Sequence, residues 1–490
     1  MIKVFVDGQI RVTASWEIRK QLATMAQWDN PKWAENKRRG YPNAGVPKVI
    51  DLSEDTGSEV LLPRGLMNEV WSFVHKQNQK VEVAWDMVKM PFDAVPKAVD
   101  DARPYQREAS RAFNWQGIEV MPCGGGKTYT ACDIIGRRGQ KTIILVHTID
   151  LLDQWKDAIQ SSLGIDAGTF QGKKREIRDV TVATVQTLSM LSSPELRKLF
   201  AQFGMIVLDE MHHCPAKSFQ RLVNLASCYY RLGLTATAYR NDGLTPVLHA
   251  VFGEILYLIE QEELVAGGYL VQPTVQKVKT GCTLDEENVQ VECKKCKGAG
   301  IVYEGEDESF LQLKCPACGG RGTQLDHHKV IEEICNDDER LGTICSNIIR
   351  DLESGHFVLC LATRKAYLEK IWARVDEEYP AAKARVLTSD TPKGLRRRYI
   401  NEARAGECRL LCGTQLADEG LDIPRIDRIH LTLPAKAKSA TIQRIGRMMR
   451  VHEDKTEPPI LYDYVDDHGV FYTSWSKRRK YYLEIGAIVS

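Results

Sequence analysis

Gly124, Gly125, Gly126, Lys127 and Thr128 stand together in the stretch MPCGGGKTYT, residues 121–130. Consecutive glycines free the backbone to turn its N–H groups toward phosphate oxygens. A lysine adds a point charge, and a threonine hydroxyl suits Mg²⁺. The chemistry expected here is binding of a nucleoside triphosphate. Met121 occupies the position where the usual phosphate loop has Gly or Ala, so a Gly-rich turn with an incidental lysine is the alternative. Further along, Asp209 and Glu210 close the apolar run GMIVL. An acid at a strand tip can hold Mg²⁺ while its neighbour orients and deprotonates water. Asp209 is therefore read as a metal ligand with Thr128, and Glu210 as the base. His212 completes an Asp-Glu-x-His pattern.

Arg447 and Arg450 lie three apart in QRIGRMMR, a spacing that puts both on one face of a short helix. Guanidinium groups suit the charge that spreads over a transferring phosphoryl group, whereas a solvated basic helix is the bland alternative. Four cysteines have metal-ligand spacing. Cys293 and Cys296 form one Cys-x-x-Cys pair, Cys315 and Cys318 another, with residues 297–314 between them. That spacing predicts a four-thiolate Zn²⁺ site, and glycines after each pair let amides turn toward sulfur. Stapling a coreless segment is one role for such a site. Nucleic-acid contact is the other, allowed by Lys294, Lys295, Lys297 and Arg321.

These groups must be carried by strands and helices. TIILVHT, VTVATVQ and GMIVLDE read as buried strands, and LLDQWKDAIQSSLG and PELRKLFAQF as helices between them. That alternation indicates an α/β fold with parallel sheets. It breaks near residue 282 and resumes after about 326, where FVLCLAT, ARVLTS, CRLLCGT, RIHLTL and PILYDYV form a second set of strands. The expected division is an N-terminal accessory domain over 1–98, a first sheet domain over 99–270, and a second over 271–490 interrupted by the 282–326 insertion. In the N-terminal part, Trp28, Trp33 and Tyr41 interleave with Lys32, Lys37, Arg38 and Arg39. Such a mixture can stack bases and neutralise phosphates; an exposed basic loop with core tryptophans is the alternative.

The formal net charge is only +1, so any nucleic-acid affinity must come from local patches. Most of the 14 cysteines are scattered, as expected of reduced thiols. No apolar run approaches the ~20 residues of a membrane span. MIKVFVDGQI lacks the apolar core of an export signal. A cytoplasmic protein with no membrane partner is expected.

Over roughly 100–465 the motifs resemble, in order, those of DExH-type superfamily 2 helicases. RPYQREA resembles the adenine-recognition motif, implying that Arg103 stacks on the base and Gln106 bonds its edge. ILVHTIDLLDQW and ATVQTL, the latter with Thr184, resemble strand-tracking motifs. GLTAT, with Thr235 and Thr237, resembles the motif that couples nucleic acid to ATP, a task to which His212 also belongs. GTQLADEGLDIP implies Thr414 at the nucleic-acid backbone or the coupling path, and Gly420 and Asp422 near the ribose. QRIGRMMR resembles the arginine-finger motif, with Gln443 at the γ-phosphate or the attacking water.

The Pro-Cys-Gly start of the phosphate loop is similar to that of XPB and phage UvsW-like helicases, which accounts for Met121. Arg240-Asn241-Asp242 stands where XPB-type enzymes carry Arg-Glu-Asp, a partial match for which a polar turn is the alternative. The inserted CxxCxGxG units resemble the zinc modules of DnaJ-type chaperones. The resemblance implies two tandem RecA-like domains with ATP and Mg²⁺ in the cleft between them. It also implies 3′-to-5′ movement on nucleic acid, DNA favoured over RNA, in repair or recombination within a prokaryotic or phage-infected cell. An RNA-directed helicase and an ATP-switched remodeller without processive unwinding are the rival readings.

Overall fold

The computed structural model describes residues 1–39, 41–94, 96–211, 217–239, 242–304, 311–414, 423–434, 445–446 and 448–490. They form two units, Met1–Ala266 and Gly267–Ser490. Among the described residues no helix is long and apolar enough to cross a membrane.

The first unit begins with a five-stranded sheet. Ile2–Val6 lies within it, antiparallel to Gln9–Thr13 and parallel to Val81–Trp85. Alternation along these strands puts Ile2, Val4, Val6, Ile10 and Val12 into one buried core with Val60 and Leu62. This module packs closely on the larger sheet domain of the same unit. A side-chain carbon added at Gly8 would lie 2.2 Å from the Asn224 carbonyl oxygen, and one at Gly65 2.3 Å from that of His249. Only glycine admits such contact between backbones.

The stretch 28–48, read from its turn residues as a possible basic loop, contains a helix over Pro31–Arg39. Proline suits a first helical position because its missing N–H would be unbonded there anyway. The Asn30 side chain accepts from the Lys32 amide at 3.1 Å, closing that end. No residue of this helix is buried.

An eight-stranded sheet follows, with Gln116–Val120 between Tyr230–Thr235 and Ile255–Leu258. Thr142–Val146 lies between Met205–Leu208 and Val180–Thr184, and all these neighbours are parallel. Thr142–Val146, Val180–Thr184 and Met205–Leu208 are buried along their whole length, as expected of strands covered by helices on both faces. The two faces carry separate apolar cores, one around Phe200 and Phe252, the other around Trp155 and Phe113. Every loop that follows a central strand therefore emerges on one edge of the sheet.

The second unit has a seven-stranded, all-parallel sheet with Val358–Leu361 between Leu410–Gly413 and Arg428–Leu431. Ile460–Asp467 pairs with Thr274–Thr283, whose last residue faces Asp467 and leads directly into the cysteine-bearing insertion. Arg340 and Asp466 close the base of that insertion as a fully buried ion pair at 2.6 Å, to which the Thr280 hydroxyl adds a second hydrogen bond.

Candidate nucleotide site and cysteine cluster

The chain leaves the strand Gln116–Val120, turns through three glycines and enters the helix Lys127–Arg138. Gly124 and Gly126 have φ of 82° and 78°, the left-handed region that glycine enters without strain. A side-chain carbon at Gly126 would fall 2.3 Å from Nε2 of Gln106. Met121 is buried beneath this turn. Its sulfur receives a long contact of 3.6 Å from the Thr130 hydroxyl, and its carbonyl accepts from Nζ of Lys127 at 3.3 Å. The methionine thus acts as a floor for the loop, a role that does not require Gly or Ala. Thr128 stands half-buried in the first turn of the helix.

The helix Pro104–Ala112 leans on this loop through Tyr105, whose hydroxyl donates to the Gly125 carbonyl at 2.9 Å. Arg103 caps that helix. Its amide donates to Oε1 of Gln106 at 2.9 Å, and its guanidinium to the Tyr105 hydroxyl at 3.3 Å. Arg103 and Gln106 thus sit beside the phosphate loop. Sequence reasoning passed over Tyr105, although its place between Pro104 and Gln106 was the available signal.

Asp209 follows the strand Met205–Leu208 and is nearly fully buried. Its Oδ2 accepts the Trp155 indole N–H at 2.8 Å, and its Oδ1 accepts the Glu210 amide at 2.9 Å. Burial pushes its pKa up to about 6, and the neighbouring Glu210 adds to the rise. Trp155 and the positive charge of Lys127 oppose it. Lys127 and Asp209 both follow the carboxyl ends of parallel strands of one sheet, and the Lys127 charge acts on Asp209. Glu210 has φ of 50°, an uncommon conformation for a residue with a side chain, which turns the chain sharply out of the strand. The hydroxyl and carboxylate oxygens of Thr128 and Asp209 are the hard donors that Mg²⁺ prefers. Trp155 was quoted in the sequence only as part of a motif, and its bond to Asp209 went unforeseen.

Thr235 ends the strand beside Gln116–Val120, and its carbonyl accepts the Met121 amide at 3.1 Å. Its hydroxyl bonds both backbone groups of Thr237, at 3.2 and 3.3 Å. The stretch expected to act in coupling is therefore joined directly to the start of the phosphate loop. Thr184 ends another strand of the same sheet, its hydroxyl 2.8 Å from that of Thr187.

In the second unit Thr414 follows the strand Leu410–Gly413, and its amide donates to Leu387 at 3.2 Å. Only Arg450 of the expected arginine pair lies among the described residues. It lies just beyond the described helical residues, in a bridge to Leu270. The chain turns at Met449, whose carbonyl accepts the Val271 amide at 2.7 Å. His212, Arg240, Gly420, Asp422, Gln443 and Arg447 lie outside the described residues.

Cys293, Cys296, Cys315 and Cys318 are buried, with their four sulfurs all within 4.8 Å of one another. The Gly300 amide donates to Sγ of Cys296 at 3.2 Å and the Gly322 amide to Sγ of Cys318 at 3.3 Å. The two knuckles meet backbone to backbone. A side-chain carbon at Gly300 would lie 2.4 Å from the Gly320 oxygen, and one at Gly322 2.3 Å from that of Gly298. Burial raises the Cys318 pKa, but hydrogen bonds from the Gly322 and Gly320 amides and with Cys296 and Cys315 bring the thiol down to about 6. Four soft donors converging in this way fit a tetrahedral metal ion.

Two families match in chain order: the type III restriction enzyme res subunit over residues 100–240, and the helicase conserved C-terminal domain over 339–452. The "DNA 3'-5' translocase XPB2" of Sulfurisphaera tokodaii is 26% identical over 413 residues, 82% of this chain and 90% of that protein. The "DNA 3'-5' helicase XPB" of Mycobacterium tuberculosis is 26% identical over 363 residues, 72% of this chain but only 58% of the relative. Among solved structures, S. cerevisiae Dbp5 bound to RNA and ADP BeF3 superposes with a TM-score of 0.54 at 15% identity, covering 88% of this chain and 94% of that one. This last likeness concerns the fold, two RecA-like domains. Both helicase domains matched in order, with XPB proteins as relatives along most of the chain, support a superfamily 2 helicase of the XPB-type branch.

Proposed function

We propose that this protein is an ATP-dependent DNA translocase or helicase that moves 3′ to 5′ and remodels duplex or branched DNA. The observation that carries the reading is the meeting of Lys127, Asp209 and Glu210 at one sheet edge, with Thr235 bonded to the phosphate loop beside them. Glycine amides and Lys127 bind the phosphates, and Arg103 and Gln106 hold the base. Asp209 and Thr128 hold Mg²⁺, which supplies charge neutralisation at the β- and γ-phosphates when bound. Glu210 orients the attacking water and takes its proton. Gln443, Arg447 and Arg450 are assigned to the transition state, and Gly420 and Asp422 to the ribose. Thr184, His212, Thr237, Arg240 and Thr414 form the path from nucleic acid to ATP. The four cysteines hold one Zn²⁺, which staples the insertion. The relatives' names support a DNA motor, to which we assign a cytoplasmic location.

The N-terminal helix Pro31–Arg39 adds support. It presents Trp33 with Lys37 and Lys48 at 5.5 and 5.8 Å from its ring, and Tyr41 follows in the open. A side-chain carbon at Gly243 would lie 2.7 Å from the Pro31 ring, so the basic helix starts beside the loop that follows Thr237. An RNA-directed reading is favoured by one relative, an Acanthamoeba polyphaga mimivirus protein described as an ATP-dependent RNA helicase and 25% identical over 372 residues. The test is ATPase stimulation by single-stranded DNA, duplex DNA and RNA, joined to strand displacement on 3′- and 5′-tailed duplexes. Stimulation by DNA with displacement from a 3′ tail is expected. Stimulation by RNA alone replaces the reading with its rival, and stimulation without displacement leaves a translocase or a switch.

A further inference from the structure

Between its N-terminal sheet and the first RecA-like sheet the chain crosses the amino-terminal edge of the latter. The Val88 amide donates to Ser227 and the Tyr229 amide to Val88, each at 2.8 Å. Trp85 ends the strand before this crossing, and Trp115 and Tyr229 immediately precede the strands Gln116–Val120 and Tyr230–Thr235. With Met87 and Lys89 these three rings line a cavity of about 390 Å³. Lys127 and Asp209 follow the opposite ends of the strands, a strand length or roughly 17 Å away. The cavity is therefore separate from the nucleotide site. Trp85 is 53% exposed. A group of aromatic rings left open around a cavity is the mark of a binding surface.

The charges around the cavity select its occupant. Nζ of Lys89 lies 4.0 Å from the centre of the Tyr229 ring, and the buried Arg64 guanidinium lies 5.5 Å from that of Trp115. Arg64 donates to Gln116, to Met87 sulfur and to the carbonyls of Asp7, Cys228 and Tyr229, at 2.7 to 3.3 Å. These partners are all neutral, and the Asp7 carboxylate is paired with Arg11 at 2.7 Å. The nearest acid in sequence, Asp86, is exposed. Two ring faces thus already have cations beside them, which disfavours a quaternary ammonium or other cationic guest. A flat heterocycle joined to a phosphate satisfies both the rings and the lysine.

We propose that this cavity holds one nucleotide unit of a single-stranded nucleic acid, its base against Trp85, Trp115 and Tyr229 and its phosphate at Lys89. The proposal rests on the nucleic-acid motor reading and adds a strand contact away from the coupling motifs, on the far edge of the first sheet. It gives the motor a second hold on a strand while ATP changes the grip at the other edge.

The test is the affinity of a fluorescein-labelled oligothymidylate, read by anisotropy, for the parent chain and for Trp85→Ala, Trp85→Phe and Lys89→Glu. Thermal melting and basal ATPase without nucleic acid serve as controls, and both are expected to stay at the parental values. Loss of one stacked base weakens binding about tenfold in Trp85→Ala, and Trp85→Phe restores most of it. Lys89→Glu weakens binding and reduces its salt dependence by about one phosphate contact. Equal affinity of the parent and both disruptive variants overturns the proposal and leaves the cavity to a protein segment. If dTMP alone abolishes the difference between parent and Trp85→Ala, the guest is a free nucleotide and the strand proposal also falls. A parent that binds no oligonucleotide removes the motor reading itself, an outcome distinct from equal binding by all variants.

Discussion

Trp155 donates its indole N–H to Oδ2 of Asp209 at 2.8 Å, so the carboxylate assigned to Mg²⁺ is gripped from the helix Ile149–Leu163. Replacing Trp155 by Phe keeps an aromatic ring but removes the donor. Asp209 already sits at about 6, above its ordinary value, chiefly because it is buried. The indole favours the charged form, so its loss raises the pKa further. Hydrolysis needs the carboxylate charged and is lost as pH falls through that pKa. The acid limb of the ATPase profile in Trp155→Phe should therefore lie at higher pH than in the parent, with a several-fold greater Mg²⁺ requirement. An unmoved acid limb together with an unchanged Mg²⁺ titration would remove Trp155 from the site.

Lys127→Ala should abolish ATP hydrolysis and weaken ATP binding without a fall in melting temperature, because the side chain is only half-buried and faces the loop. Glu210→Gln should separate binding from turnover. An amide retains the shape but cannot take the proton of the attacking water, so turnover should fall at least ~100-fold with ATP still bound. Measurement of nucleotide affinity alongside steady-state hydrolysis checks both. Parental turnover in Glu210→Gln would falsify its assignment as the base.

The phosphate loop, the acidic pair and the cysteine tetrad were legible in the sequence because each is a local pattern whose spacing is itself the geometry. The strands were legible for a similar reason: runs such as TIILV can be buried only in a sheet covered on both faces. Trp155 and Tyr105 were not, since their partners Asp209 and Gly125 are brought to them by the tertiary fold. The bridge between Arg450 and Leu270 joins residues far apart in sequence, which no local period in QRIGRMMR could reveal. The helix over Pro31–Arg39 was hidden by the turn-rich residues on either side and by the absence of any buried face.

Glu119 offers a prediction for stability. It lies in the strand that enters the phosphate loop, fully buried, and neither carboxylate oxygen has a hydrogen-bond partner among the described residues. Burial alone pushes its pKa to about 8 from an ordinary 4.5. The folded chain keeps this proton up to about pH 8, whereas the unfolded chain releases it above 4.5. Folding stability should therefore decline as pH rises between these values, by about 1.4 kcal/mol per unit from this group. Glu119→Gln removes the titration. The melting temperature of the variant relative to the parent should climb steadily from about pH 5 to about pH 8, as followed by calorimetry. A constant difference over that range would show that Glu119 does not carry the proton.

The cysteine insertion should be separable from the motor that carries it. Its entry and exit lie together: the Asp326 amide donates to Val289 at 2.8 Å, and Gln290–Glu292 pairs with Thr323–Leu325. Residues 286–325 can thus be replaced by a short Gly/Ser linker without pulling on the strand Thr274–Thr283 or on the Arg340–Asp466 pair. Among the described residues, the apolar cluster inside the insertion consists of the four cysteines with Val302 packed against them, too little to fold the segment without a metal. Elemental analysis should find one Zn²⁺ per chain, lost in Cys315→Ser and in the linker variant. Basal ATP hydrolysis should survive in the linker variant, because the second sheet keeps all its strands. Affinity for branched or duplex DNA should fall if Lys294, Lys295, Lys297 and Arg321 reach the backbone, and stay level if the metal only staples the segment. Loss of basal hydrolysis with retained melting temperature would contradict separability and make the insertion part of the motor itself.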